Sequence, residues 1–443
     1  MHLSWLNIPE LYLSLWRGTI KGSTQSDPKS WVCAVWATDE KWMAHGRRVE
    51  RAMPFLPGFF DRPPCNIAEK VNSGYKATEF KTWFYNYAPA MLRDELPEAY
   101  WEQLCELVRG LTLLYADTIM PKEVVESKQQ LSAAVLHHEI LYYARDPDRL
   151  HVVRPCIHSV WHAPDMIVLL GSLICLTQLP MERLIGDLGG QIKQPSNPFA
   201  NLSQRALRRC QENAIKALDT RLDRTHATLS HLPRGALDLG GGYVLLRARD
   251  RCARDIPPEE AAAFLDYLAY HESERYINVE QGSFTFRVQK WARLRLPNDT
   301  VVRSAWKERD KPLKWLRMAR CVKFSAISTT LEVAEVCYFC EVGDTRRPVA
   351  LVSVFGPRNE GLYERSRKTV QLHTYRGNSQ LRVVDVQKIC SVVGMIPDDR
   401  AEHVDFETDY VHLHDNHTYF VVEKLGFEAK ILGTRDQEME VDE

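Results

Sequence analysis

Three groups of residues in this chain have the types and spacing to do chemistry. Glu182 lies in Met181-Glu182-Arg183, just after the mostly apolar run 166–179. A carboxylate on the inner face of a helix is costly to bury alone, so it needs a cation. Arg183 or Arg205 supplies one in a plain salt bridge. A divalent metal is the other solution, since Mg²⁺ takes one or two protein carboxylates. His158 and His162 are four apart and share one helical face, the spacing of paired metal ligands. Zinc takes three or four ligands, so the pair is either half a metal site or two packed rings. Cys156, His151 and His2 are the candidate further donors. The third group is cationic. Arg205, Arg208, Arg209 and Lys216 recur at near-helical spacing, with Lys193 upstream. Between Arg287 and Lys323, twelve Lys/Arg, among them Lys290, Arg293, Arg295 and Lys307, stand against three acids, a local charge of +9. Trp291, Trp306 and Trp315 are interleaved with them. Cations for phosphates and aromatics for stacking suit a nucleic-acid surface. A solvated basic face, or a barrel with its tryptophans inside, has the same letters.

Other chemistries lack their signatures. There is no GxSxG elbow to activate a serine. Gly240-Gly-Gly242 runs into Tyr-Val-Leu-Leu rather than a Lys-Ser/Thr helix, so it reads as a turn and not a phosphate loop. Cys337-Tyr-Phe-Cys340 has no second pair nearby and sits in a strand-like run, so it reads as structural. His137 and His138, late in a helix, read as solvated or capping groups.

The elements that must position these groups follow from periodicity. Residues 1–20 carry a helical apolar face after Pro9, and 54–64 is an ordered aromatic loop because its prolines forbid helix. From 78 to 218 the pattern is helical, with prolines at 97 and 121 near helix starts and Ser203 as the expected cap of a final amphipathic helix. Beyond 284 short alternating runs dominate, at 284–294, 301–306, 333–341, 349–354, 370–375, 381–386, 389–393 and 419–425. They predict a small β-barrel or a strongly bent sheet.

The expected fold class is therefore α+β: a mainly helical half at 1–232, a linker with one helix at 233–283, a β-rich domain at 284–432, and a disordered acidic tail at 433–443. The chain has 443 residues, 45% apolar and 26% charged, which supports a sizeable core. A net charge of -1 leaves no global basic field, so nucleic-acid contact must come from local patches. The 11 scattered cysteines suit a reducing compartment. The N-terminus carries no signal-peptide pattern, and no run reaches the roughly 20 apolar residues a bilayer span needs, so no membrane partner is expected.

Several long blocks resemble a known family. They are MHLSWLNIPELYLSLWRGTI (1–20), the His45-Gly46 region, PFLPGFFDRPPCNIAEKVNSGYKATEF (54–80), RLHVVRPCIHSVWH (149–162), LPMERLIGDLGGQIKQPSNPFANLSQRALRR (179–209) and KWARLRLPNDTVVRSAWKE (290–308). In order and content the chain resembles the C-terminal half of transposases of fungal CACTA-like DNA transposons, the Plavaka group. The resemblance implies a DDE-type enzyme on an RNase H-like core, in which three acids hold two Mg²⁺ ions for in-line attack on a phosphodiester. Glu182 stands at the third acid. His158 and His162 stand where related enzymes carry a zinc-binding histidine pair, although the matching cysteine pair is absent.

The same resemblance puts the second acid just upstream of a Met-His dipeptide, and this chain begins at Met1-His2. The first two acids, most of the RNase H-like strands and any N-terminal zinc finger are thus expected before residue 1. The expectation is a truncated, nuclear transposase remnant that binds transposon-end DNA but does not cut it alone. A full-length transposase or a second copy is the expected protein partner. The helical half is expected to show an uncovered apolar face. The alternative readings are a non-catalytic DNA- or chromatin-binding regulator and a plain interaction scaffold. The nominated DNA contacts are Lys193, Arg205, Arg208, Arg209, Lys290, Arg293, Arg295 and Lys307; the nominated metal ligands are Glu182, His158 and His162.

Overall fold

The computed structural model describes residues 2–22, 26–60, 62–116, 118–192, 196–219, 232–247, 249–271, 286–309, 311, 316–326, 331–344, 346–398 and 413–425. Lys193, Trp315 and the tail 433–443 lie outside them. The fold is mixed helix and sheet, α+β, as the two periodicities require.

The principal helices are α1 (Ile8–Trp16), α2 (Asp39–Arg51), α3 (Glu98–Leu114), α4 (Pro121–His138), α5 (Pro155–Leu170), α6 (Leu179–Gly190), α7 (Pro198–Leu218) and α8 (Pro258–His271). A π-helical segment, His2–Asn7, leads into α1. α1 is buried over most of its surface, with Ile8, Leu11, Tyr12, Leu15 and Trp16 inside and Glu10 exposed, so it is the axis of the helical half. Its polar groups are satisfied internally. Gln103 Nε2 donates to Tyr12 Oη at 2.6 Å, and Tyr12 Oη lies 3.0 Å from His138 Nδ1. His138 is thus a core residue rather than a solvated one, and burial pushes its imidazole down to about 4. Only His137 is partly exposed, 2.7 Å from Glu106.

The strands are β1 (Leu237–Asp238), β2 (Val244–Leu245), β3 (Arg254–Asp255), β4 (Arg287–Val288), β5 (Arg293–Arg295), β6 (Val301–Arg303), β7 (Cys321–Ser325), β8 (Leu331–Val342), β9 (Arg347–Val354), β10 (Leu372–Thr374), β11 (Leu381–Asp385), β12 (Ile389–Val392), β13 (Gly394–Pro397) and β14 (Thr418–Val422). Every described pairing is antiparallel. The main sheet runs β11-β9-β8-β7-β12.

That order forces a bend. β11 and β12 are opposite edges, yet only the 3₁₀ turn Val386–Lys388 joins them. Four chain steps reach at most about 14 Å, and roughly 8 Å as a 3₁₀ turn. A flat five-stranded sheet would hold its edges about 19 Å apart. The sheet therefore curls until its edges approach. Among the described residues the edges are not bonded to each other, so the expected small barrel is instead a bent, open sheet. Its concave face packs Val322, Phe324, Val336, Phe339, Val352 and Trp291. Its outer face carries α8 through Phe264 and Leu268 against Tyr338, Cys340 and Leu351. A register shift between Val336 and Tyr338 swaps the parity of β8, which is why Val336 and Phe339 face the same side.

The two halves share one core. β10, β13 and β14 pack Tyr419, Phe420, Met395 and Ile396 onto the helices. The aromatic loop at 54–64 is the seam. Met318 N–H donates to Pro54 O at 2.8 Å, Arg317 Nε to Leu56 O at 2.7 Å, and Lys424 Nζ to Phe59 O at 2.7 Å. No described helix is long and apolar enough to cross a membrane.

Candidate functional site

The stretch carrying Glu182 is the least buried of the helical half. α5 stops at Gly171, whose φ of 85° only glycine adopts at low cost, so the apolar run does not continue as one helix. A turn follows, and Glu182 sits in the first turn of α6 with its amide bonded to Gln178 O at 2.9 Å. α7 begins at Pro198 after Asn197, five residues before Ser203, and has no buried residue.

Glu182 was expected on the inner face of a helix, with Arg183, Arg205 or a divalent metal as its cation. It is instead about half exposed, and its neighbour is His2, whose Nε2 lies 3.3 Å from Glu182 Oε1. Arg205 turns away, donating from Nε to Asn201 Oδ1 at 2.7 Å. The expectation fails because α6 and α7 touch little beyond each other, which leaves Met181, Ile185, Phe199, Leu207, Ile215 and Leu218 in solvent. An uncovered apolar face of this kind was expected.

His158 and His162 do meet. Their Nε2 atoms are 3.2 Å apart on the exposed side of α5. Two Zn–N bonds of about 2.0–2.1 Å at a tetrahedral angle span roughly 3.3 Å, so this is the bite of a tetrahedral metal. It is also a good hydrogen bond between neutral rings. The other donors lie elsewhere: Cys156 is buried, His151 packs near Trp31, and His2 is at Glu182. Among the described residues no group of three or more His, Cys, Asp or Glu can hold a metal ion. Cys340 is buried and Cys337 half-buried in the same strand. Burial pushes the Cys337 thiol up to about 12, away from the thiolate a metal needs.

The +9 segment is largely consumed in folding. Arg320 is fully buried, 2.5 Å from Glu335 Oε1 and 3.9 Å from Glu308. Arg309 reaches Glu335 Oε2 at 3.2 Å, and Tyr375 Oη donates to the same oxygen at 2.6 Å. Burial raises the Glu335 carboxyl, but Arg320, Arg309 and that hydroxyl outweigh it and hold it below its ordinary value. Glu308 goes the other way. Burial pushes it up to about 7 despite Arg320 and the Ala319 amide at 3.1 Å. Lys323 pairs with Glu423 at 3.0 Å and Arg317 caps loop carbonyls.

Of the nominated contacts, Lys290 is also structural, 3.5 Å from Glu260 and 3.9 Å above the Tyr338 ring. Lys307 lies 4.7 Å from the Trp306 ring centroid. Arg293 and Arg295 lie on β5, Arg293 exposed and opposite Arg303. Arg208 is exposed on α7, and Arg209 approaches Asp187 only to 3.9 Å. Trp291 is core. The Glu308–Arg320–Glu335 network had no signal in the sequence, because its two carboxylates are 27 residues apart and meet at Arg320 only in the folded sheet.

No family model, no curated protein and no solved structure matches this chain.

Proposed function

We propose that this chain belongs with the DDE-type DNA transposases of the CACTA-like Plavaka group, with Glu182 as the last catalytic acid. One observation carries the reading. The resemblance sets the family's second acid just upstream of a Met-His dipeptide, and His2 lies 3.3 Å from Glu182, 180 residues away in sequence. A carboxylate just upstream of Met1 would enter the neighbourhood of Glu182. The uncovered apolar face of α6 and α7 supports the same reading, because an RNase H-like sheet is what such a face would cover.

The residues present do not fit two Mg²⁺ ions. One half-exposed carboxylate beside an imidazole offers neither the charge nor the bridging oxygens a two-metal site uses. The 443 residues alone therefore do not break phosphodiesters. They bind transposon-end DNA in the nucleus and act with a full-length transposase or a second copy. The His158–His162 pair supplies two of the ligands a zinc ion needs. A second reading, a non-catalytic DNA- or chromatin-binding regulator, is favoured by the cations that folding leaves exposed, Arg208 and Arg293.

The test is a cleavage assay with Mg²⁺ or Mn²⁺ and transposon-end DNA. The expected result is no cleavage by the chain alone, and metal-dependent cleavage when the family's upstream acidic segment is fused before Met1. Glu182→Ala should abolish that restored activity. Cleavage by the unfused chain, or restored cleavage indifferent to Glu182→Ala, overturns the assignment.

A further inference from the structure

The His45-Gly46 pair matches the family blocks, yet the reading above gives it no task. Gly46 has a steric one. A Cβ there would collide with the Asn66 side chain, so glycine lets α2 press against the Asn66 loop. His45 is different. It is 3% exposed, with its ring 4.0 Å from that of Trp36 and 6.1 Å from those of Trp42 and Trp83. Trp83 Nε1 lies 3.0 Å from His45 Nε2. An indole nitrogen only donates, so Nε2 must accept and the ring proton sits on Nδ1. Burial, helped by nearby Arg48, holds this imidazole neutral, well below its ordinary range. The result is a buried Nδ1–H with no acceptor. Buried donors are almost always satisfied, so this one asks what it serves.

His45 lines a cavity of about 710 Å³ beside α2. Lys41, Arg47, Arg48 and Arg51 line it too, against Asp94 and Glu95. Glu95 is already engaged by Arg48 at 3.0 Å and by Trp36 Nε1 at 2.9 Å. Lys41 and Arg47 are exposed and make no ion pair among the described residues. Four cations against two acids leave the wall at +2, a match for a dianion rather than a single carboxylate.

We propose that this cavity is a phosphate-binding site, with Lys41 and Arg47 supplying charge and His45 Nδ1–H the directional donor. The site is separate from Glu182 and from α7, and it stands whether or not the chain descends from a transposase. The phosphate belongs either to a free phosphorylated ligand or to a nucleic-acid strand.

Calorimetry on the full chain decides, with inorganic phosphate, a mononucleotide and a 5′-phosphorylated single-stranded oligonucleotide as probes. Chloride is adjusted to keep ionic strength constant. Saturable binding is expected, weakened about tenfold or more in Lys41→Ala/Arg47→Ala, a loss of roughly 1.4 kcal/mol. These side chains line the cavity without other partners, so the variant keeps its fold, which circular dichroism verifies. Histidine side-chain ¹⁵N spectra should show the His45 Nδ1–H resonance moving on phosphate addition. Equal binding of phosphate and mononucleotide assigns a free ligand, and binding of the oligonucleotide alone assigns a strand; both support the site. No saturable heat from any probe, or binding indifferent to the double variant, overturns it.

Discussion

Replacing Arg205, Arg208 and Arg209 with alanine should flatten the salt dependence of DNA binding without unfolding the chain. α7 contributes no buried residue, so the substitutions remove charge and almost no packing. Each phosphate neutralised adds about 0.9 to the slope of log affinity against log salt on duplex DNA. Three lost contacts lower that slope by about 2.7. Between 50 and 200 mM salt, wild-type affinity should then fall about 40-fold further than that of the triple variant. The contrast is Arg320→Ala. Arg320 is fully buried against Glu335, and breaking such a pair costs about 3–5 kcal/mol because it strands a buried carboxylate. Its effect should appear in urea denaturation and not in the slope of the protein that remains folded. Fluorescence anisotropy with a labelled duplex across that salt range measures the slopes. Equal slopes for wild type and triple variant would refute the placement of the DNA face on α7. A large slope loss from Arg293→Ala/Arg295→Ala in the same assay would move that face to β5.

Two further outcomes follow, one from a buried carboxyl and one from the exposed histidine pair. The Glu308 carboxyl sits near 7 in the folded chain against an ordinary 4.5, so between those values the folded state holds a proton the unfolded state has released. Stability should therefore fall as pH rises from about 4.5 to 7, by ~3 kcal/mol in full. Urea midpoints at the two ends of that window, for wild type and Glu308→Gln, measure it; a wild-type chain that tracks the variant at both pH values would remove Glu308 from the account. For the histidine pair, Zn²⁺ titration by calorimetry should show a saturable component that His162→Ala abolishes and that excess chelator reverses. Zn²⁺ binding that survives the substitution would mean the 3.2 Å pair is only a hydrogen bond.

Local pattern decided much of this protein. The helical spacing of residues 1–20 and within 78–218, and the alternation beyond 284, correspond to α1, α3, α4 and the antiparallel strands, because periods of 3.6 and 2 are properties of consecutive residues. The meeting of His158 with His162 was legible for the same reason: four residues make one helical turn. Burial was not legible. The +9 segment reads as a surface, yet Arg320 and Lys323 go inside and Arg317 is half-buried because Glu335, Glu423 and the 54–64 loop arrive from other parts of the chain. Glu182 reads as buried, yet it is half exposed because an apolar run is enclosed only if another layer covers it. The small barrel depended on whether β11 and β12 bond across a seam, which no local pattern encodes. The residue types and their periods belong to the sequence by itself. Which charges pair, which face is covered and which histidine is left with an idle N–H are long-range contacts, and only the tertiary structure decided them.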